Sequence, residues 1–171
     1  MRVLGIDPGS RITGYGIVEF EHDRVRHLAS GCIHVRGDDL AARLRAIFEG
    51  VASLVDSESP TEIAVEQVFI HRNAASALKL GQARGAALMA GVSRGLPLYE
   101  YTPTQVKQAV TGRGHAAKEQ IQHMVRVLLS LRESPVTDAA DALAVAICHG
   151  HMRDGAARLE RASRAALEIG P

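Results

Sequence analysis

Hydrophobic and polar residues follow two different periods along the chain, and the changes of period divide it into strands and helices. Near the N-terminus, three segments either alternate with a period of two or form short apolar runs, as β-strands do. They cover residues 2–7, 12–20 and 25–35. The connections between them are short, so the pattern predicts an antiparallel three-stranded meander.

After the third segment, helical and strand patterns alternate. Apolar residues from Leu40 to Val55 recur at the spacing of one helix face, and Asp38 or Asp39 can cap the start of that helix. The later patterns predict strands at 62–70 and 97–102 and helices at 74–93, 103–110, 116–131 and 135–151. Strands joined through helices are usually parallel. The sequence therefore predicts an α/β fold with a mixed five-stranded sheet flanked by helices.

Length and composition limit the number of domains and the class of protein. The 171 residues suffice for one domain with a core of its own. We place this domain at 1–153 and expect the tail at 154–171 to be helical or disordered. The formal net charge is +1, so only local clusters of basic residues could attract a polyanion.

The cysteine content and the N-terminal sequence bear on the compartment. Cys32 and Cys148 are the only cysteines, and they make neither a disulfide framework nor a paired-cysteine zinc pattern. This favours a reducing compartment such as the cytoplasm. We expect no signal peptide, because the chain opens with a strand pattern. No apolar run approaches the roughly 20 residues of a membrane span.

Two carboxylates are associated with predicted strands. Asp7 ends the first strand and precedes Pro8 and Gly9; an ordinary turn residue is the alternative explanation. Glu66 lies within the apolar run 62–70, where an unpaired charge would cost several kcal/mol. For Glu66 the alternative is an ion pair with an arginine.

Two further carboxylates lie near the start of the predicted helix at 135–151. Ser134 and Pro135 suit the N-cap and the first helical position. Asp138 and Asp141 follow at a spacing that places them on one helix face, about 5 to 6 Å apart. The helix dipole could explain Asp138, but it explains Asp141 less well, because an apolar run follows directly. Two like charges this close repel each other unless a cation lies between them.

The four carboxylates together indicate a metal site. Oxygen ligands suit Mg²⁺ or Mn²⁺ better than zinc. Two such ions, about 4 Å apart, can hold the attacking and leaving oxygens of a phosphodiester displacement. The sequence therefore predicts a two-metal nuclease site made by Asp7, Glu66, Asp138 and Asp141.

Four segments of the chain resemble the RuvC-type Holliday junction resolvases. They are GIDPGSRITGYG, AVEQVFIHRNAASALKLGQARGAAL, YTPTQVKQAVTGRG and TDAADALAVAICH, and the resemblance extends from residue 1 to about residue 151. It implies a ribonuclease-H-like fold and a homodimer. It also implies metal-dependent, paired nicks in two strands of like polarity of a four-way DNA junction, with 5′-phosphate and 3′-hydroxyl ends. The family's four catalytic acids match Asp7, Glu66, Asp138 and Asp141.

The resemblance also implies contacts with DNA. In the family, an aromatic residue at the position of Phe69 enters the DNA near the cleavage point, although residue type alone would place Phe69 in the core. Lys107 and Lys118 match positions that contact the DNA backbone, and Arg113 lies between them in the basic segment TGRGH. The alternative for this segment is a solvated surface loop. We expect Phe69, Lys107, Arg113 and Lys118 to bind DNA.

The predicted helix at 74–93 is unusually rich in small residues. Gly81, Gly85 and Gly91 each weaken a helix by roughly 1 kcal/mol relative to alanine, which is reasonable where another backbone packs close. That backbone could belong to the protein's own sheet, but the resemblance implies a dimer interface here. A branch-migration complex of the RuvA and RuvB type is the other partner that the resemblance implies.

Other functions remain open from the sequence alone. GIDPGS also resembles the phosphate loop of actin-like ATPases and sugar kinases, although those proteins need two lobes. A non-catalytic junction-binding module would leave Glu66 without a purpose. Cys148, His149 and His151 lack the further ligands of a zinc site, and at a predicted helix end the histidines would complement the dipole.

Overall fold

The structure, a computed structural model, describes residues 1–21, 24–35, 37, 39–68 and 74–168, with side chains as far as residue 155. Five strands and five helices follow one another along the chain. They are β1 (Arg2–Asp7), β2 (Ile12–Glu21), β3 (Arg24–His34), α1 (Leu40–Glu58), β4 (Glu62–Glu66), α2 (Ala74–Val92), β5 (Leu98–Tyr101), α3 (Pro103–Thr111), α4 (Lys118–Leu128) and α5 (Thr137–Glu168). No helix in these ranges is both long and apolar enough to cross a membrane.

The five strands form one mixed sheet in the order β3-β2-β1-β4-β5. β1, β2 and β3 pair antiparallel, whereas β4 pairs parallel with both β1 and β5. The prediction of a mixed sheet with an antiparallel meander followed by parallel strands is therefore confirmed. The central position of β1 and β4 brings the ends of two parallel strands together at one edge.

Helices cover both faces of the sheet because side chains alternate along each strand. On one face, Leu4 and Ile6 of β1 pack with residues of α1 and α2. On the other face, Val3 packs in a second cluster with α3, α4 and α5. Continuing this alternation places Asp7, like Val3, on the face that α5 covers.

A chain of buried polar groups ties α5 to the sheet. His149 is fully buried, and its Nδ1 lies 2.6 Å from the Tyr101 hydroxyl. Its Nε2 contacts the carboxylate of Glu62, which Arg153 also contacts, at 3.2 Å. Burial lowers the pKa of His149 although Glu62 opposes the shift. Our prediction that His149 lies at a helix end was wrong, because α5 continues well beyond it.

Most predicted boundaries differ from the observed ones by one to three residues, and those of β4 and α5 bear on the site. The strand predicted at 62–70 ends at Glu66, because its partner β5 is only four residues long and Pro103 opens a helix soon afterwards. Helix α5 begins at Thr137, two residues after the predicted start at Pro135. It also runs on to Glu168 instead of ending near residue 151. The division into a domain at 1–153 and a tail at 154–171 stays a prediction.

Candidate active site

β1 and β4 end side by side, and each ends on a carboxylate. Asp7 is the last residue of β1 and Glu66 is the last residue of β4. The strands are parallel with Ile6 beside Val65, so Asp7 and Glu66 leave the sheet on neighbouring strands about 5 Å apart. Glu66 is therefore not inside a strand as predicted, but at a strand end like Asp7. Both side chains are half-buried.

The turn after Asp7 is held by a residue that the sequence did not single out. Thr13 is fully buried, and its hydroxyl donates to the Gly9 carbonyl at 3.3 Å and lies 3.5 Å from the Gly9 amide. This local contact fixes the Pro8-Gly9 turn against the start of β2. A buried threonine near a turn gave no clear signal in the sequence, because its partner is a main-chain group.

The two helix acids lie in the first turns of α5. Asp138 is the second residue of this helix and Asp141 the fifth, and both are half-buried. The residues from Ala139 to Gly150 are buried, apart from Asp141. Helix α5 therefore carries both acids to the edge of the sheet where β1 and β4 end.

The charges of the four carboxylates act on one another. Burial, followed by the charges of Asp141, Asp138 and Glu66, raises the pKa of Asp7 to about 7. Burial and the charge of Asp141 also raise the pKa of Glu66. Such shifts show negative charge crowded into a poorly solvated place, as the predicted metal site requires.

Two lysines lie beside two of the acids in one cleft. Lys107 comes from α3 and Lys118 opens α4, and the cleft has a volume of about 200 Å³. Its lining consists of Glu66, Pro103, Val106, Lys107, Lys118, Ile121, Asp141 and Ala144. The Lys118 Nζ lies 2.9 Å from an Asp141 carboxylate oxygen, and this bond raises the pKa of Lys118. An ammonium group is thus the nearest cation to Asp141.

The donor chemistry fits a hard divalent cation, but the side chains do not form a closed coordination sphere. All four groups offer carboxylate oxygens, the ligands that Mg²⁺ and Mn²⁺ prefer. Within the part of the chain that the structure describes, no group of three or more histidine, cysteine, aspartate or glutamate side chains is arranged to hold a metal ion. A cation would therefore have to draw the carboxylates together and displace Lys118 from Asp141.

Of the two other predicted DNA-binding residues, Arg113 falls within the described part of the chain and lies outside this cleft. Arg113 is exposed after α3 and lines a different depression, together with residues of α4. It is separate from the cleft that holds Lys107. Phe69 lies outside the described residues, so its surroundings are not part of this structure.

The glycines of α2 divide into two groups. A Cβ at Gly91 would lie 2.1 Å from a side-chain atom of Ile63, so the sheet of the same chain explains this glycine. A Cβ at Gly81 or Gly85 would meet nothing within 4 Å. Leu78 and Met89, on the same side of the helix by their spacing, are exposed at 64% and 51%.

Comparison with known proteins places this chain in one family. Residues 3–149 match the family model described as crossover junction endodeoxyribonuclease RuvC. The protein of that name from Geobacter sulfurreducens is 59% identical over 152 residues, which cover 88% of this chain and 93% of that protein. The one from Methylococcus capsulatus is 55% identical over 163 residues, 95% of this chain and 98% of that protein.

Solved structures agree with the sequence comparison. The structure of T. thermophilus RuvC in complex with Holliday junction substrate superposes with a TM-score of 0.85 at 39% identity, covering 91% of this chain and 96% of that chain. The yeast mitochondrial Holliday junction resolvase Ydc2 has a TM-score of 0.62 at 13% identity, covering 85% of this chain and 77% of that chain. The second likeness concerns the fold alone.

Proposed function

The chain belongs to the RuvC family of crossover junction endodeoxyribonucleases, and from this premise we propose how its residues cut a Holliday junction. The enzyme is an endonuclease that resolves such junctions in recombination and DNA repair. The observation that carries the assignment of its active site is the meeting of Asp7, Glu66, Asp138 and Asp141 in one half-buried place, where burial and then the charges of the other three acids raise the pKa of Asp7 to about 7.

We propose that these four carboxylates are catalytic and hold two divalent cations, Mg²⁺ or Mn²⁺. The bound cations would supply Lewis-acid stabilisation of the charge on the scissile phosphate and activation of the attacking water. Asp7 and Glu66 are fixed by the ends of two hydrogen-bonded strands, and Asp138 and Asp141 by a helix packed on the same sheet. Rigid elements of this kind fix the backbone positions of the ligands, so only the side chains would have to move to meet a cation.

Lys107 and Lys118 are proposed to bind the DNA backbone. Both line the cleft beside Glu66 and Asp141, where the phosphate to be cut must lie if the carboxylates are catalytic. Lys118 pairs with Asp141 in the absence of DNA. Asp141 would be one of the residues that hold a divalent cation, and the ammonium group of Lys118 would then be available to a phosphate oxygen. Arg113 lies further out, and for it we propose a contact with a more distant phosphate.

Phe69 is proposed to stack on a base at the branch point. The proposal rests on the resemblance of the surrounding motif, because residues 69–73 lie outside the described part of the chain. In the sequence, Phe69 comes three positions after Glu66, the residue that ends β4. Base–aromatic stacking contributes about 1 to 3 kcal/mol per base, enough to hold a base out of the stack where pairing is already broken.

A homodimer is proposed to form through α2. Leu78, Gly81, Gly85, Met89 and Val92 follow one another at helical spacing on a single side, and the three large residues are exposed at 39% or more. The two glycines leave room for a second helix. A two-fold dimer would use this face twice and supply one active site for each of two symmetrical nicks.

Two further parts of the proposal concern the cellular setting. An enzyme that resolves recombining DNA acts beside the chromosome, so we propose that this one works in the cytoplasm. Its cysteines are both free thiols, which suits that compartment. We also propose, from family membership, that it acts on junctions held by a branch-migration complex of the RuvA and RuvB type.

Incubation with a mobile synthetic four-way junction tests the function. With Mg²⁺ or Mn²⁺ the protein should introduce paired nicks in strands of like polarity, and it should cut neither the junction in EDTA nor a linear duplex of the same sequence. Glu66→Gln should bind the junction and fail to cut it, whereas Glu100→Gln, an exposed acid on β5, should cut normally. Cleavage of linear duplex at the same rate would contradict a junction resolvase.

A further inference from the structure

Helix α5 approaches the sheet closely at glycines of β1 and β2. A Cβ added to Gly14 would lie 2.1 Å from the main-chain carbonyl oxygen of Asp138, and a Cβ added to Gly5 would lie 2.0 Å from that of Ala142. At Gly16 the nearest atoms belong mainly to the Leu143 side chain, at 2.6 Å. The first two contacts involve helix backbone, which no change of side-chain rotamer can relieve.

Gly14 neighbours the backbones of two of the proposed catalytic residues, Asp7 and Asp138. It is the register partner of Asp7 across β1 and β2, and on its open side it meets the backbone of Asp138. The distance between α5 and the sheet at Gly14 therefore sets the distance between Asp7 of β1 and the two acids of α5. An ordinary contact begins at about 3.4 Å, so any side chain here would push the start of α5 outward by more than about 1 Å.

We propose that Gly14 is a positioning residue for the metal site: its missing side chain sets the distance between Asp7 and the acids of α5. The inference rests on the proposed function of those acids. Catalysis is sensitive to displacements of this size, since a shift of about 1 Å can cost about 100-fold in rate. A side chain at Gly14 therefore acts by moving the backbone that carries Asp138 and Asp141, and not through a contact of its own with DNA.

The test compares Gly14→Ala with Gly150→Ala. Gly150 lies on the same helix, 12 residues after Asp138 and thus about 18 Å away along the axis. Its added Cβ would meet the ring of Phe20, a side chain that can shift. Both substitutions disturb the packing of α5 on the sheet and should lower the melting temperature. Only Gly14→Ala meets helix backbone, and it does so beside the carboxylates.

Three measurements are made on each folded variant and on the wild type: Mn²⁺ affinity without DNA, junction affinity in EDTA, and the rate of cleavage of bound junction. For Gly14→Ala we expect the Mn²⁺ dissociation constant to rise about 10-fold or more and the cleavage rate to fall about 100-fold. Junction affinity should change by less than about twofold. Gly150→Ala should match the wild type in all three.

Several results would overturn the proposal. One is unchanged Mn²⁺ affinity in Gly14→Ala, and another is an equal loss of Mn²⁺ affinity in Gly150→Ala. If Gly14→Ala does not fold, Gly5→Ala replaces it, because its Cβ would meet the helix beside Asp141. Failure of both to fold would make the glycines requirements of folding and would also contradict the proposal. A wild type that does not nick junctions would refute the proposed function instead, while the Mn²⁺ comparison would still test Gly14.

Discussion

Asp7→Asn is expected to stabilise the metal-free protein at neutral and alkaline pH. The pKa of Asp7 is about 7 in the folded protein and about 3.8 for an ordinary aspartate. The folded state therefore binds the proton more tightly than the unfolded state does. The contribution of such a group to the free energy of unfolding is fully present below about pH 4. It falls as the pH rises from about 4 to 7 and stays reduced above that range.

The size of the effect follows from the shift. A difference of about 3 pKa units, from 3.8 to about 7, corresponds at 1.36 kcal/mol per unit to a loss of at most about 4 kcal/mol. Asparagine has nearly the same shape and carries no charge. The advantage of Asp7→Asn over the wild type should thus grow from near zero at about pH 4 to as much as about 4 kcal/mol at about pH 8.

Urea denaturation in EDTA across this pH range measures the effect. Asp56→Asn serves as a control of opposite sign, because Arg94 donates hydrogen bonds of 2.6 and 2.8 Å to Asp56 and lowers its pKa. That variant should lose stability at neutral pH. Addition of Mn²⁺ should stabilise the wild type more than Asp7→Asn. An Asp7→Asn variant that is no more stable than the wild type at about pH 8 would refute the crowding of charge around Asp7.

In a binding titration, Lys107→Ala should weaken junction binding and reduce the slope of log affinity against log salt by about 1. Arg45→Ala, at an exposed residue of α1, should leave the slope unchanged. Equal slopes for the wild type and both variants would remove Lys107 from the phosphate contacts. Gly85→Leu should shift the protein toward monomer in sedimentation and reduce paired nicking. Gly155→Leu, at another glycine with open space around it, should do neither. An unchanged dimer in Gly85→Leu would exclude this face of α2 as the dimer interface. Phe69→Ala should bind junctions and melt like the wild type but cut poorly, with activity retained in Phe69→Trp. A loss of about 3 to 5 kcal/mol in unfolding free energy would instead assign Phe69 to the core.

The sheet and the order of its strands could be predicted because their signals are local. Each strand of the meander shows alternation or a short apolar run in its own sequence. Asp39 caps α1 by accepting a hydrogen bond of 2.7 Å from the Ala42 amide, within one turn. The end of β4 was misplaced because it depends on β5. The apolar run continues past Glu66, but the partner strand stops at Tyr101, and a strand without a partner cannot continue the ladder.

The extent of α5 and its polar contacts could not be predicted because they depend on distant residues. Glycine often marks the end of a helix, but Gly150 lies within α5, where its missing side chain leaves room for the ring of Phe20. His149 is buried because Tyr101 and Glu62, 48 and 87 residues away in sequence, satisfy its two ring nitrogens. The ion pair between Lys118 and Asp141 could not be predicted from a local sequence pattern either.

Among the acids, sequence reasoning identified the residues but not their exact setting. Asp7 and Glu66 were selected for different reasons, one as a strand end and one as a buried charge. In the structure the two residues have the same setting, because they end neighbouring parallel strands. The four side chains share one electrostatic environment, and their roles as metal ligands remain a proposal.

Anomalous diffraction from crystals soaked in Mn²⁺ tests the central claim most directly. The four carboxylates are proposed to hold the cations that catalyse cleavage, so an anomalous peak should lie between Asp7 and the acids of α5, with the Lys118 ammonium moved away from Asp141. Asp7→Asn crystals should show a weakened peak or none. A protein that cuts junctions with Mn²⁺ but shows no anomalous peak at these carboxylates, or shows one only elsewhere, would contradict the assignment.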